Sequence, residues 1–232
     1  MDLANDPLHW RGEIGKFFNS SDWTAWFLSY QALLTSVAAV STKADVLNIG
    51  TELSLAQTQE AQWRQTISLV RNHFKGLLTY GANHNDESTV KWWDAIDWIG
   101  VDAYYPLGND SSVDALVISW QKIFSSILEP LSSKYNKPII FTEVGYQSVT
   151  GAAITPWAAH GSLSIATQER CYIALYIAAR SAKFPLIGVQ WWALTDLPQD
   201  GGGSDTGFSM HNKPSATVIQ QQGAYNRRKI KT

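Results

Sequence analysis

Two glutamates in this chain follow the same kind of run. Val46-Leu47-Asn48-Ile49-Gly50-Thr51 leads into Glu52, and Pro138-Ile139-Ile140-Phe141-Thr142 leads into Glu143. Val144, Gly145 and Tyr146 follow the second glutamate. Apolar and β-branched residues dominate both runs, as in strands of a parallel sheet covered on both faces. A carboxylate that ends such a strand sits at the carboxyl edge of the sheet, where α/β folds gather their chemistry. The two glutamates are 91 residues apart, with two further strand-like runs between them. In an eight-stranded ring, strands three apart face each other across the mouth. Two facing carboxyls can cleave a glycosidic bond: one protonates the leaving oxygen, and the other attacks the anomeric carbon or activates water. A separation of about 5–5.5 Å gives retention of configuration, and about 6.5–9.5 Å gives inversion. One glutamate at a strand end is as readily the ion-pair partner of an arginine. Two of them, both on apolar strands flanked by aromatics, favour the chemical reading.

The elements that must position these groups follow from periodicity. Ser20, Ser21 and Asp22 offer an N-cap. Behind them Trp23, Trp26, Phe27, Tyr30, Leu33, Leu34, Val37 and Val40 recur at helical spacing. After the strand Val46–Gly50 comes a helix with Trp63, Ile67, Val70 and Phe74 on one face. The strand Gly76–Ala82 ends in Asn83-His84, and a short helical stretch covers Glu87–Ile96. The strand Trp98–Tyr105 is stopped by Pro106, and a long helix spans Val113 to Lys134. Beyond the Glu143 strand the pattern predicts a helix at Thr167–Lys183 and a strand at Leu186–Ala193. The glycine-rich loop Gln199–Gly207, a helix at Ser215–Gln222 and a basic tail, Asn226–Thr232, complete the chain. The tail is expected to fray. Strict alternation of strand and helix implies a parallel sheet with crossover helices. An open doubly wound sheet and a (β/α)8 barrel both satisfy it. No glycine-rich phosphate loop follows a strand, which weakens a nucleotide-binding open sheet. Glu52, Asn83, Tyr104, Glu143 and Trp192 stand at or just beyond strand ends, which suits the carboxyl face of a barrel.

Composition bounds the ligand. The chain has 232 residues and a net charge of −2, so no basic surface points to nucleic acid or to an anionic membrane. Its 11 Trp and 9 Tyr are an excess, and broad aromatic faces stack on sugar rings. Cys171 is the one cysteine, so no internal disulfide forms, and its helical setting reads as that of a small buried hydrophobe. His9, His84, His160 and His211 share no metal-binding spacing, and nothing calls for a metal or an organic cofactor. Asn19-Ser20-Ser21 and Asn109-Asp110-Ser111 are glycosylation triplets of a kind that arises often by chance. Neither a signal peptide nor a membrane-spanning run is visible.

Three blocks carry a family resemblance: Ile49-Gly50-Thr51-Glu52-Leu53, the segment from Trp93 to Leu107, and Ile140-Phe141-Thr142-Glu143-Val144-Gly145-Tyr146. With Trp191-Trp192, Gly201-Gly202, Asp205-Thr206-Gly207-Phe208 and Lys213-Pro214, they resemble glycoside hydrolase family 113, the β-mannanase-like (β/α)8 barrels of clan A. The blocks run in the family's order over nearly the whole chain. The resemblance implies a retaining enzyme on β-linked mannan or a related β-glycan, with Glu52 as acid/base ending strand four and Glu143 as nucleophile ending strand seven. Tyr104 is then placed to hydrogen-bond Glu143, and Trp192, or alternatively Trp191, to floor a sugar subsite. Adjacent strand residues alternate faces, so at most one of the two points in. Asn83 is expected to reach a sugar hydroxyl or Glu52, and Trp10 and Arg11 to reach the groove from the loop before the first helix. Asp102 reads equally as structural partner or ligand, and Asp196, Asp200 and Asp205 as a solvated loop face.

Two features depart from the family's pattern. Thr51 stands where many clan A enzymes carry an asparagine that bonds the sugar 2-hydroxyl. If Glu52 ends strand four, residues 1–3 end strand three. A full barrel would then need roughly 80–100 further residues or a second polypeptide. The expected unit is one partial barrel domain over residues 1–225. A non-catalytic carbohydrate-binding or structural remnant is the alternative at this level.

Overall fold

A computed structural model describes residues 9–109, 112–194, 197 and 200–229. The expected stub at residues 1–3, Asp196 and the last three residues of the tail lie outside the described residues. The elements are α1 (Ser20–Val40), β1 (Val46–Thr51), α2 (Glu60–His73), β2 (Leu77–Asn83) and β3 (Trp98–Asp102). They are followed by α3 (Val113–Ile123), α4 (Glu129–Tyr135), β4 (Ile139–Val144), α5 (Ile165–Arg180), β5 (Leu186–Trp191) and α6 (Pro214–Lys229). The sheet is parallel, and its strand order is β1-β2-β3-β4-β5. A doubly wound sheet reverses direction at a switch point. This order has no reversal, so the chain winds in the sense of a barrel.

Several boundaries differ from expectation for local reasons. The cap of α1 is Asn19, one residue earlier than predicted. Its side chain accepts from Ser21 N and Asp22 N, and Asp22 accepts from Asn19 N at 2.9 Å, closing a capping box. The predicted long helix is interrupted by a π turn at Phe124–Leu128. Pro130 sits just beyond it, lacks a backbone N–H and would crowd the carbonyl four residues back, and the widened turn accommodates both. The stretch expected to be helical at 87–96 is two short 3-10 turns, Glu87–Thr89 and Trp93–Ala95. The last helix runs to Lys229, past its expected end.

Contacts divide the chain into two compact units. The first is Met1–Asp102 with Ser132–Thr142. In it β2 pairs with β1 and β3 in parallel, with Asn83 opposite Asp102, and Ile99 N reaches Pro138 O at 3.0 Å. Its core is built on Trp63, which is fully buried among Phe27, Tyr30, Tyr80 and Trp92. Buried aromatics with polar tips need partners. Trp63 and Trp92 donate to Ala56 O and Gln57 O, both at 2.9 Å, and Tyr30 donates to Ile49 O at 2.8 Å. The second unit is Ala103–Leu131 with Glu143–Thr232. There α5 packs on α3 and α6, and Trp120, Tyr146, Tyr172 and Cys171 are buried. Much of the tryptophan excess is therefore core. Trp63, Trp92, Trp93 and Trp120 are sealed from solvent, while Trp10, Trp157 and Trp192 are exposed. Among the described residues, no helix is long and apolar enough to cross a membrane.

Candidate active site

The first unit sets Glu52 one residue beyond β1. Its amide donates to Gly81 O at 2.8 Å, so the residue stays attached to the sheet as the strand ends. Its φ is +51°, left-handed backbone that is uncommon for a residue other than glycine. Such a conformation costs on the order of 1–3 kcal/mol and collects at functional positions. Trp10, just ahead of the 3-10 turn Arg11–Glu13, donates its indole N–H to Glu52 Oε2 at 2.9 Å. Arg11 Nη1 lies 3.9 Å from the same oxygen. The turn is itself anchored behind the glutamate, where Leu55 N donates to Gly12 O at 3.2 Å. Trp10 and Arg11 thus converge on one carboxylate oxygen, although 42 residues separate Trp10 from Glu52.

Beneath Glu52 lies a polar layer. Thr142 donates to Asp102 Oδ1 at 2.6 Å, and Thr51 Oγ1 lies 3.4 Å from Asp102 Oδ2. Gly81 makes room for it: a Cβ there would stand 2.8 Å from both threonine hydroxyls and 2.9 Å from Asp102 Oδ1. Asp102 is fully buried and bonded to both threonines, which decides between its two readings in favour of a structural partner. Thr51, in the position of the family's asparagine, has its hydroxyl turned to Asp102. Asn83 ends β2, half-buried, beside Asp102 in the register. Burial holds the imidazole of the next residue, His84, below the usual histidine range, with Asp86 opposing.

The second unit holds Glu143 near the end of β4. Its carbonyl accepts from Ala103 N at 2.6 Å, which fixes the backbone, and Tyr104 donates its hydroxyl to Glu143 Oε2 at 3.0 Å. That contact is the one anticipated from the sequence, and Tyr104 is buried. The paired tryptophans differ in setting. Trp191 stacks on Tyr172 with ring centres 3.8 Å apart and 11° between planes, and its N–H reaches Tyr176 Oη at 3.1 Å. Its stacked ring faces α5 instead of standing free as the expected sugar platform. Trp192 is 48% exposed, and its amide donates to Val144 O at 2.8 Å. Gly145 permits that approach, because a Cβ on it would lie 2.0 Å from Trp192 O. We expect Gly145→Ala to cost about 1–3 kcal/mol, as overpacking does. Thermal unfolding would show a Tm lower by roughly 2–12 °C for a chain of this size, and an unchanged Tm would contradict the crowding.

A model of Glycoside Hydrolase Family 113 matches residues 4–213. The chain belongs to this family. Among solved structures, the GH113 β-mannanase AaManA from Alicyclobacillus acidocaldarius in complex with ManMIm is 30% identical, with a TM-score of 0.77. The match covers 93% of this chain and 68% of that one. A GH113 β-1,4-mannanase solved as a complex is 27% identical at a TM-score of 0.80, covering 92% and 69%. A β-glucuronidase from Ruminococcus gnavus, at 13% identity and a TM-score of 0.65 over 89% of this chain and 38% of its own, shares the fold alone. No curated protein sequence matches the chain.

Family 113 membership makes the chain a glycoside hydrolase, and the five parallel strands among its described residues fit part of the family's (β/α)8 barrel. Among the described residues no group of three or more His, Cys, Asp or Glu could hold a metal ion. Asp205, expected on a solvated loop face, is partly exposed and also accepts from Lys213 Nζ at its Oδ1, 2.6 Å away. In the sequence Lys213 stands out only as part of a family block. A lysine with a fully buried side chain is rare, but periodicity in a loop carries no signal of burial.

Proposed function

We propose that this chain is the catalytic part of a retaining β-mannanase, with Glu143 as nucleophile and Glu52 as acid/base. The observation that carries the reading is the buried Tyr104 hydroxyl donating to Glu143 Oε2 at 3.0 Å. A hydrogen bond to a carboxylate favours its charged form and aims it, which is what a nucleophile needs. Trp10 donates to Oε2 of Glu52 and orients that side chain, so Oε1 is the oxygen proposed to exchange the proton with the leaving group and with water. In the first step a Glu143 oxygen attacks the anomeric carbon, the bond to the leaving sugar oxygen breaks, and Glu52 gives that oxygen its proton. In the second step Glu52 takes a proton from water, the water oxygen attacks the anomeric carbon from the other side, and Glu143 departs as a carboxylate. Two inversions return the starting configuration. Asn83 and the exposed face of Trp192 are the proposed sugar contacts, the first through hydroxyls and the second by stacking. The substrate assignment rests on the mannanases that this chain is similar to. The test is hydrolysis of β-1,4-mannan and mannooligosaccharides by this chain, with the product anomer followed by proton NMR. First-formed β product supports the reading, and first-formed α product or no turnover overturns it.

A further inference from the structure

Lys213 has a side chain with no solvent exposure. Its three N–H donors meet three acceptors: Asp205 Oδ1 at 2.6 Å, Ser148 Oγ at 2.7 Å and Gly207 O at 3.3 Å. Removing an ammonium from water is costly unless every donor is satisfied, so this is a built site. What it joins is specific. Ser148 lies five residues beyond Glu143, and its amide also bonds Thr206 O and Gly207 O at 3.1 and 3.2 Å. Asp205 and Gly207 bracket the turn that delivers Phe208, and Gly207 N donates to Asp205 Oδ1 at 3.0 Å. The carbonyl of Phe208 is held independently by buried Gln168, at 3.2 Å. Its ring meets Tyr104 edge to face, with centres 6.5 Å apart, and lies against Gly145. Tyr104 in turn bonds Glu143.

We infer that Lys213 is a positioning residue for Glu143: it clamps the 205–208 turn to Ser148, and the clamped Phe208 braces Tyr104 in the orientation that aims the carboxylate. The inference rests on the reading of Glu143 as nucleophile. Without the ammonium, Ser148, Asp205 and Gly207 lose a common partner, Phe208 gains freedom, and Tyr104 loses its backing. A misplacement of about 1 Å at a reacting group can cost 10²-fold in rate.

The experiment compares Lys213→Met, Tyr104→Phe and the double variant on mannooligosaccharides. Lys213→Met should lower kcat by about 10–100-fold with KM within about threefold, because the loss falls on geometry rather than on sugar binding. In the Tyr104→Phe background the same change should cost no more than about twofold, since its route to Glu143 is already cut. Multiplying losses, or an unchanged kcat, would overturn the inference. A second measurement needs no turnover. Nitration of Tyr104 by tetranitromethane, mapped by peptide mass spectrometry, should be about tenfold faster in Lys213→Met, a loosening of local structure. Tyr30 and Tyr80, in the core of the other unit, should stay protected, which separates local loosening from unfolding. Equal protection of Tyr104 in both proteins overturns the clamp. If the wild-type chain hydrolyses no mannan, the catalytic reading falls, and nitration alone decides whether the clamp exists.

Discussion

Glu143→Ala is expected to lower kcat on β-1,4-mannan by about 10⁴-fold or more, equivalent to about 5 kcal/mol of barrier, with the far-ultraviolet spectrum unchanged. The side chain is the atom source for the covalent intermediate, so its loss closes the path instead of slowing it. Alanine also leaves a space where the carboxylate stood beside Tyr104. A small anion such as azide can enter that space and attack the anomeric carbon from the nucleophile's face. A β-mannosyl substrate with an activated leaving group would then yield the α-configured azide. That product, seen by NMR, is the signature of a missing nucleophile. Rescue with β configuration would instead assign Glu143 to the proton-transfer role, and full activity in the variant would remove it from the chemistry.

Glu52→Ala should behave differently according to the substrate. General acid–base catalysis is worth about 10²–10⁴-fold, and that whole factor is exposed when the leaving group is a sugar hydroxyl that must be protonated. An aryl mannoside whose phenol leaves as an anion needs no proton. Its first step should be nearly unaffected, and the glycosyl-enzyme should accumulate because water is no longer activated. A burst of phenol followed by slow turnover, accelerated by azide to the β-configured product, is the expected record. Equal losses on mannan and on the activated aryl substrate would contradict the acid/base assignment. The two glutamates thus differ in the stereochemistry of their rescue, which distinguishes them even if both single variants are inactive on the polymer.

The strands and helices were legible because their signals are local. Period-two and period-3.6 patterns are written in neighbouring residues, and a carboxylate directly after an apolar run can be located from a few positions. The cap at Asn19 and the π turn ahead of Pro130 shifted boundaries without altering the order of elements. The core was less legible. Trp63 stands between Gln62 and Arg64, and Trp192 between Trp191 and Ala193, yet the one with polar neighbours in sequence is sealed among four aromatic rings and the other is half exposed. Alternation predicted that Trp191 and Trp192 would part, but not which one would face α5.

Local patterns suffice to read a parallel α/β chain with glutamates closing two of its strands, and the motifs point to its family. What surrounds those glutamates follows from the folded arrangement. Trp10 meets Glu52 across 42 residues, Tyr104 meets Glu143 across 39, and Lys213 meets Ser148 across 65. No short-range pattern encodes such pairings, because each depends on where the chain returns after a crossover. The left-handed backbone at Glu52 belongs to the same class. Nothing in a glutamate favours φ of +51°, and it is held there by its bond to Gly81 and by the contacts of Trp10 and Arg11.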